Sequence, residues 1–365
     1  MKDTLGIITT NYSAKTPSVL TEARPLASLP YLGRYRLVDF PLSNMVNADI
    51  RTIGLVLPSN YRSVLDHVGS GKDFRLSRKG GGLFVMPGSA FGTSRTGSRF
   101  LLRDFAANRV IFERSNADNV LFAAANFVYN MDYNLLHDAF VESGADAMVL
   151  TRTSDEDNAD VMGFELDGDK VRGVKHGVAY GDTAFMDCFI IRRAAFLEML
   201  DWYATVDYLD LFDALEEDYA RLDIRVYRYN DYAAAVFDEQ SYFRHNMELL
   251  DPENVAQLFP EGREIMTKAH DNPPVRYGAD AHVENSLLCG ACRIEGAVIG
   301  SILGRGVVVE SGANVVNSVI MQNCVIKKGA RVENAILDRY NVVPAGTEMR
   351  GTSSRVLVRG KAKMG

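Results

Sequence analysis

Near the C-terminal end of this chain, rows of apolar doublets recur at a fixed interval. Ile302-Leu303, Val319-Ile320 and Ile336-Leu337 make one row, each doublet seventeen residues from the next. Val308-Val309, Val325-Ile326 and Val342-Val343 make a second row, and Val315 and Val332 start a third. Within a turn the steps are six, six and five residues. A period near six, with β-branched residues at the repeat and Gly or Asn between, is the hexapeptide pattern of a parallel β-helix. Each short strand is expected to bury one face, while small residues turn the corners. A sandwich of short strands has no reason to repeat doublets so strictly.

The solenoid makes the chain two-part. At 365 residues, with 47% apolar and 24% charged residues, there is enough chain for a second domain with a full core. The expected division is an α/β domain over 1–250, a connector over 251–277 and the β-helix over 278–365. The net charge of −7 carries no basic stripe, which argues against a nucleic-acid partner. The opening MKDTLGIITT has no long apolar run after a basic region, and no stretch approaches a membrane span. A cytoplasmic protein without membrane contact is expected. Cys289 and Cys292 form one CxxC, but no second pair or His is spaced to complete a zinc site. With Cys188 and Cys324 they read as packing thiols.

Ahead of the solenoid, strand-like and helix-like segments alternate. TLGIITT at 4–10 and RTIGLVLP at 51–58 read as buried strands, and 97–116 as a helix. NVLFAAANFVY at 119–129 is a near-continuous apolar run suited to a central strand. A helix over 133–143 and a strand over 147–154 follow. The stretch 195–222 reads as one helix whose acidic face (Asp210, Asp213, Glu216, Glu217) is solvated. A further helix spans 238–250, and 251–275 is Pro-bearing and irregular. Alternation of this kind argues a parallel, Rossmann-like sheet.

The segment Gly33-Arg34-Tyr35-Arg36-Leu37-Val38-Asp39-Phe40-Pro41-Leu42-Ser43-Asn44 resembles the G-K-Y-R-I-I-D-F-P-L-S-N segment of bacterial glucose-1-phosphate adenylyltransferases. Gly80-Gly81-Gly82 with Val85-Met86-Pro87, Tyr129-Asn130-Met131-Asp132-Tyr133 and Asn246-Met247-Glu248-Leu249-Leu250 resemble further family motifs in the same order. The resemblance covers nearly the whole chain. It implies a nucleotidyltransferase domain followed by a left-handed parallel β-helix. It also implies the making of ADP-glucose from ATP and glucose 1-phosphate for glycogen synthesis, in tetramers controlled by metabolites.

Nucleotidyl transfer needs a backbone-rich loop for the triphosphate, a cation at the α-phosphate and carboxylates for the divalent metal. The family's G-G-x-G-x-R-L loop is here Thr9-Thr10-Asn11-Tyr12-Ser13-Ala14-Lys15, without glycine. Leu26 stands where the family has a phosphate-binding lysine. Asn126 replaces the first metal aspartate, and Mg²⁺ favours anionic oxygen over an amide. Counting back from Asn246, Ala235 replaces the second, with Asp231 and Asp238 on either side. Lys175 lies near the family's sugar-phosphate lysine, as its remnant or as a surface lysine. No intact catalytic set, no metal site and no cofactor are expected in this chain; Mg²⁺ is expected only in a catalytic partner.

Arg24, Arg34, Arg36 and Arg339 survive around the conserved-looking motif and the solenoid. The resemblance places an effector pocket there, suited to a phosphorylated metabolite because a guanidinium donates two parallel hydrogen bonds. The structural alternative pairs Arg36 with Asp39 or a neighbouring carboxylate. The leading reading is a non-catalytic regulatory subunit joined to a catalytic subunit of the same family in a hetero-tetramer. Others are an active nucleotidyltransferase with substituted ligands, a homomeric sensor, and a hexapeptide acyltransferase using His282.

Overall fold

In a computed structural model, residues 1–10, 18–58, 60–77, 80–88, 99–216 and 218–362 are described. The chain opens on β1 (Thr4–Thr9), a hairpin of β2 (Pro30–Tyr31) and β3 (Tyr35–Arg36), and helix α1 (Asp39–Asn47). Next come β4 (Thr52–Leu57), α2 (Arg62–Val68), β5 (Gly82–Pro87), α3 (Leu102–Ala107) and α4 (Arg109–Arg114). β6 (Asn119–Ala124), β7 (Phe127–Tyr129), α5 (Tyr133–Ser143) and β8 (Ala147–Thr153) follow. β9 (Asn158–Asp167), β10 (Lys170–Val178), β11 (Thr183–Arg192) and α6 (Arg193–Trp202) come next. The domain closes with α7 (Leu211–Ala214), β12 (Ile224–Arg228), β13 (Ala233–Ala235), α8 (Glu239–Glu248) and α9 (Pro252–Leu258).

Nine strands form one sheet in the order β5-β4-β1-β6-β11-β8-β12-β10-β9. The first four run parallel, and β11 enters antiparallel between β6 and β8. Alternate residues of β1 and β6 point to opposite faces. Ile8, Leu121 and Ala123 join one core, while Leu5, Ile7, Val120 and Phe122 join the other. Both faces are covered, which is why these strands read as unbroken apolar runs.

Two expected helices break, each for a local reason. The stretch 97–116 holds two short helices beginning at Leu102, with Gly97 outside the described residues. At the break, the Asn108 amide donates to Asp104 O at 2.7 Å and to Pro87 O at 2.9 Å, competing with the backbone ladder. The stretch 195–222 is not one helix either. Its Asp210 is buried, not solvated, and accepts from the backbone N–H groups of Arg99, Phe100 and Phe212. Glu217 lies outside the described residues.

Caps fix other boundaries. Asp132 caps α5 by accepting from Asn134 N, and Gly144 ends it at φ 67. Asp238 and Ser241 form a capping box on α8. The segment expected to be irregular after residue 250 contains α9, capped by Asp251 with Pro252 in its first turn.

From Arg276 onward, short parallel strands stack into three rows, giving a parallel β-helix of hexapeptide character. Val308, Val325 and Val342 align in one row; Ile302, Val319 and Ile336 align in another. The first hydrogen-bonded strand, Arg276–Tyr277, pairs with Arg293–Ile294. Asn317 and Asn334 sit at matching corners with φ 42 and 48, and their amides are hydrogen-bonded to each other.

One row departs from the one-faced expectation. Leu303, Ile320 and Leu337 point into the solenoid, while their doublet partners Ile302, Val319 and Ile336 are equally buried on the outside. There they meet Leu26, Leu29, Tyr31, Phe40 and Tyr242 of the α/β domain. The Val308 row faces solvent instead, and Val342 is 44% exposed. The two domains therefore share an apolar seam. Gly33, at φ +68, lies on it: a Cβ there would stand 2.6 Å from Cys289 Sγ and 3.1 Å from Leu303 O. All four cysteines are free and buried.

Ile336 packs against the seam with no accessible surface. Ile336→Ala is expected to lower the unfolding free energy by about 3 kcal/mol, mostly from the cavity left behind. Urea denaturation followed by circular dichroism measures this.

Candidate functional site

The carboxyl ends of the parallel strands are where an open α/β sheet usually binds its ligands. At this end β6 turns at Asn126 into β7, and β7 pairs antiparallel with β13. Ala235 lies opposite Phe127, and the backbone N–H of Val236 donates to Asn126 O at 2.8 Å. The ladder thus sets Ala235 beside Asn126, the two positions expected to stand in for the family's metal aspartates.

Neither side chain offers a metal oxygen in the way an aspartate would. Asn126 has no accessible surface, and its amide donates to Asp187 Oδ2 at 2.9 Å. Its own Oδ1 is buried without a hydrogen-bond partner. Asp187 is brought there by an irregularity in β11, between Phe185 and Phe189, at which Asp187 adopts φ 49. Arg99 closes the group: its Nε lies 2.6 Å from Asp187 Oδ2, and its Nη2 donates to Asp160 O at 2.6 Å. A single carboxylate, already paired with a guanidinium, beside an amide and a methyl group does not suit Mg²⁺. Among the described residues no group of three or more His, Cys, Asp or Glu is arranged to hold a metal ion. Asp238 spends its carboxylate on capping α8, and Asp231 is exposed at the cleft.

The neighbouring cleft, which reaches Phe127 and Ala235, has a volume of about 500 Å³. Its charged lining consists of Arg152 and Arg244 against Asp155, Glu156, Asp231 and Glu248. Each arginine is engaged within the chain. Arg244 makes a two-pronged contact with Glu156, both bonds 2.7 Å, and Arg152 reaches Asp155 at 2.9 Å. Two spoken-for cations facing four carboxylates give a poor receptacle for a triphosphate. Lys175 does not line this cleft; it is paired with Asp182 on the far strands of the sheet. Leu26 is buried in the seam, so the side chain standing at the lysine position serves packing. The glycine-free loop lies, from Asn11 on, outside the described residues.

A second constellation forms where the solenoid meets the α/β domain. Arg24 is almost fully buried and donates to Asp338 Oδ2 at 2.7 Å. Arg36 donates through Nη1 to Ser28 O and Ser63 O. Its side chain does not pair with Asp39: that carboxylate accepts from the Arg36 backbone N–H and lies 2.6 Å from His67 Nε2. Burial, with Arg339, Arg24 and Arg305 close by, pushes the Arg36 guanidinium down to about 10. Arg24 is lowered for the same reasons, burial first and then Arg339, against the pull of Asp338. Arg24 Nη1 and Arg339 Nε are buried without a hydrogen-bond partner.

Arg24, Arg36 and Arg339 are therefore brought together. Arg305, which sequence reading missed, joins them; its Nη2 donates to Arg34 O at 3.2 Å. Its signal was an arginine between two glycines of the repeat, at Gly304-Arg305-Gly306. The Arg34 guanidinium lies 5.2 Å from the centre of the Tyr35 ring, at the edge of the cluster where its charge acts on Arg305.

Comparison with known proteins agrees with this architecture. A family model described as nucleotidyl transferase matches residues 18–171, and one described as GlmU-like, C-terminal hexapeptide matches 274–353. The fold is that of a nucleotidyltransferase domain followed by a hexapeptide-repeat solenoid. The protein named glycogen biosynthesis protein GlgD of Bacillus subtilis (strain 168) is 30% identical, covering 85% of this chain and 82% of its own. The GlgD protein of Geobacillus stearothermophilus is 31% identical with the same coverage. Glucose-1-phosphate adenylyltransferase of Thermosipho melanesiensis is 27% identical over 86% of this chain and 77% of its own. The chain belongs to the glucose-1-phosphate adenylyltransferase family, which includes these GlgD proteins of glycogen biosynthesis. No helix among the described residues is long and apolar enough to cross a membrane.

Burial lifts the Asp187 carboxyl from 3.8 to about 6, against the opposing pull of Arg99. The folded protein therefore holds this proton more tightly than the unfolded chain. The stability it contributes is complete below about pH 4 and is lost as the pH rises through about 6. Urea titrations across this range are expected to show that fall in the wild type and a flatter profile in Asp187→Asn.

Proposed function

We propose that this chain is a regulatory, non-catalytic subunit of glucose-1-phosphate adenylyltransferase, acting in the cytoplasm through a catalytic subunit of the same family in a hetero-tetramer. The partner makes ADP-glucose and pyrophosphate from ATP and glucose 1-phosphate, with its own Mg²⁺. The observation that carries this reading is the side-by-side pair of Asn126 and Ala235, where nucleotidyl transfer needs carboxylates. Losing one such group commonly removes about 3 kcal/mol of transition-state stabilisation. Two are missing here, and the lysine position is a buried leucine. The excess of carboxylates around the cleft supports the same reading.

The arginine cluster at the seam gives the regulatory role its handle. We assign it to a phosphorylated metabolite. Buried Arg24 Nη1 and Arg339 Nε make no hydrogen bond, the latter lying 3.7 Å from Asp338 Oδ1, and a phosphate oxygen would satisfy both. Arg24 and Arg36 come from the α/β domain and Arg339 from the solenoid, so an anion bound there would bear on how the two meet.

The purified chain with ATP, glucose 1-phosphate and Mg²⁺ is expected to release no pyrophosphate above background. Mixed with a catalytic subunit, it should co-elute and change that subunit's kcat or effector response. Pyrophosphate release by the chain alone would favour the second reading, an active nucleotidyltransferase with substituted ligands. Calorimetry with phosphate esters is expected to give heat with the wild type and little with Arg339→Ala or Arg36→Ala; equal heats would remove the effector assignment.

A further inference from the structure

The group around Asn126 does more than lack metal ligands. It contains a fixed cation. The Arg99 guanidinium meets Asp187 at 2.6 Å, and the same carboxylate oxygen accepts from Asn126 at 2.9 Å. The arginine side chain is 8% exposed and Asp187 2%. Arg99 is held from several sides. Its Nη2 donates to Asp160 O, its backbone N–H donates to the buried Asp210, and its guanidinium carbon lies 5.4 Å from the centre of the Phe237 ring. Phe237 follows Val236, whose N–H binds Asn126 O, so the guanidinium is tied to Asn126 through Asp187 and lies by Phe237, two residues beyond Ala235.

We propose that Arg99 is a built-in replacement for the divalent metal: a permanent side-chain cation, anchored by Asp187, that fills the place of the ion and excludes it. The inference rests on the non-catalytic reading and goes beyond it, because loss of ligands alone would leave the place open. The guanidinium cancels the Asp187 charge, and the second buried carboxylate nearby, Asp210, is turned onto three backbone N–H groups, so little is left to attract a dication. A cation placed beside the pair would also be repelled by the guanidinium at short range in a medium of low dielectric. The Arg99 Nε and Nη2 are already engaged by Asp187 and Asp160 O, so they do not offer a nucleotide's phosphate the site that Mg²⁺ would. The device fills the place without any bound ion.

This makes restoring carboxylates insufficient by itself. Asn126→Asp, alone or with Ala235→Asp, would give Arg99 a second carboxylate to bind. Removing the guanidinium as well should open the place. Mn²⁺ is the probe, read by the loss of its free electron paramagnetic resonance signal at pH 7.5. The wild type and N126D are expected to take up no Mn²⁺ at this site. The R99M/N126D double variant is expected to bind one ion per chain, at least about tenfold more tightly than either, as two adjacent carboxylates should. Adding D187N to that pair should abolish the gain.

Circular dichroism and thermal melting confirm that each variant is folded. Should R99M/N126D fail to fold, N126D decides alone. It keeps the buried pair, and a rise of its melting temperature with millimolar Mn²⁺ would overturn the proposal. Uptake by N126D equal to that of the double variant would overturn it too, as would no uptake by a folded double variant. Pyrophosphate release by the wild type would instead overturn the non-catalytic reading. The two failures are thus told apart by metal binding and by turnover.

Discussion

The doubly buried row of the solenoid holds this molecule together. Ile302, Val319 and Ile336 point out of the β-helix, yet have almost no accessible surface, because the α/β domain lies against them. Apolar area removed from water in this way stabilises at roughly 25 cal/mol per Å². It also fixes one body relative to the other. The buried Arg24–Asp338 contact depends on that fit, since a charge pair so deep is tolerable only with good geometry. Arg339, one residue further, reaches the cluster only because the coil carrying it is pinned there.

The cleft and the seam divide the family's inheritance between them. In and beside the cleft, the described arginines are turned onto other parts of the chain. Arg99 serves Asp187, Arg244 serves Glu156 and Arg152 serves Asp155. At the seam the reverse holds: arginines outnumber carboxylates, and two of them keep unfilled buried donors. Electrostatic free energy has been withdrawn from one pocket and kept in the other. That contrast fits the regulatory, non-catalytic subunit proposed above.

How much of this was legible in the sequence depended on the range of the interaction. The β-helix was readable because its signal repeats every seventeen residues; the seam was not, because the Val308 doublets look the same and their outer row faces solvent. The pairing of positions 126 and 235 followed from motif spacing. The break at Asn108 was not readable, because one amide competing for two carbonyls leaves the apolar pattern unchanged. Asp210 was misread for a similar reason: a capping aspartate and a solvated one look alike until the loop that donates to it is known. Asp187 left a clue, as the single charge in the apolar strand TAFMDCFII at 183–191. Its partner could not be named from spacing, because Arg99 comes from a loop distant in sequence.

Gly33 couples the histories of the two halves of the gene. The backbone there has φ +68, and the thiol of Cys289 occupies the space a β-carbon would need. Neither position is free to drift alone. A larger residue at 33 demands a smaller one at 289, and Leu303 O, being main chain, cannot retreat by mutation. Across descendants of this sequence the two positions should change in concert or not at all. A segment exchanged between relatives at the connector would then carry half of a matched pair into a host lacking the other.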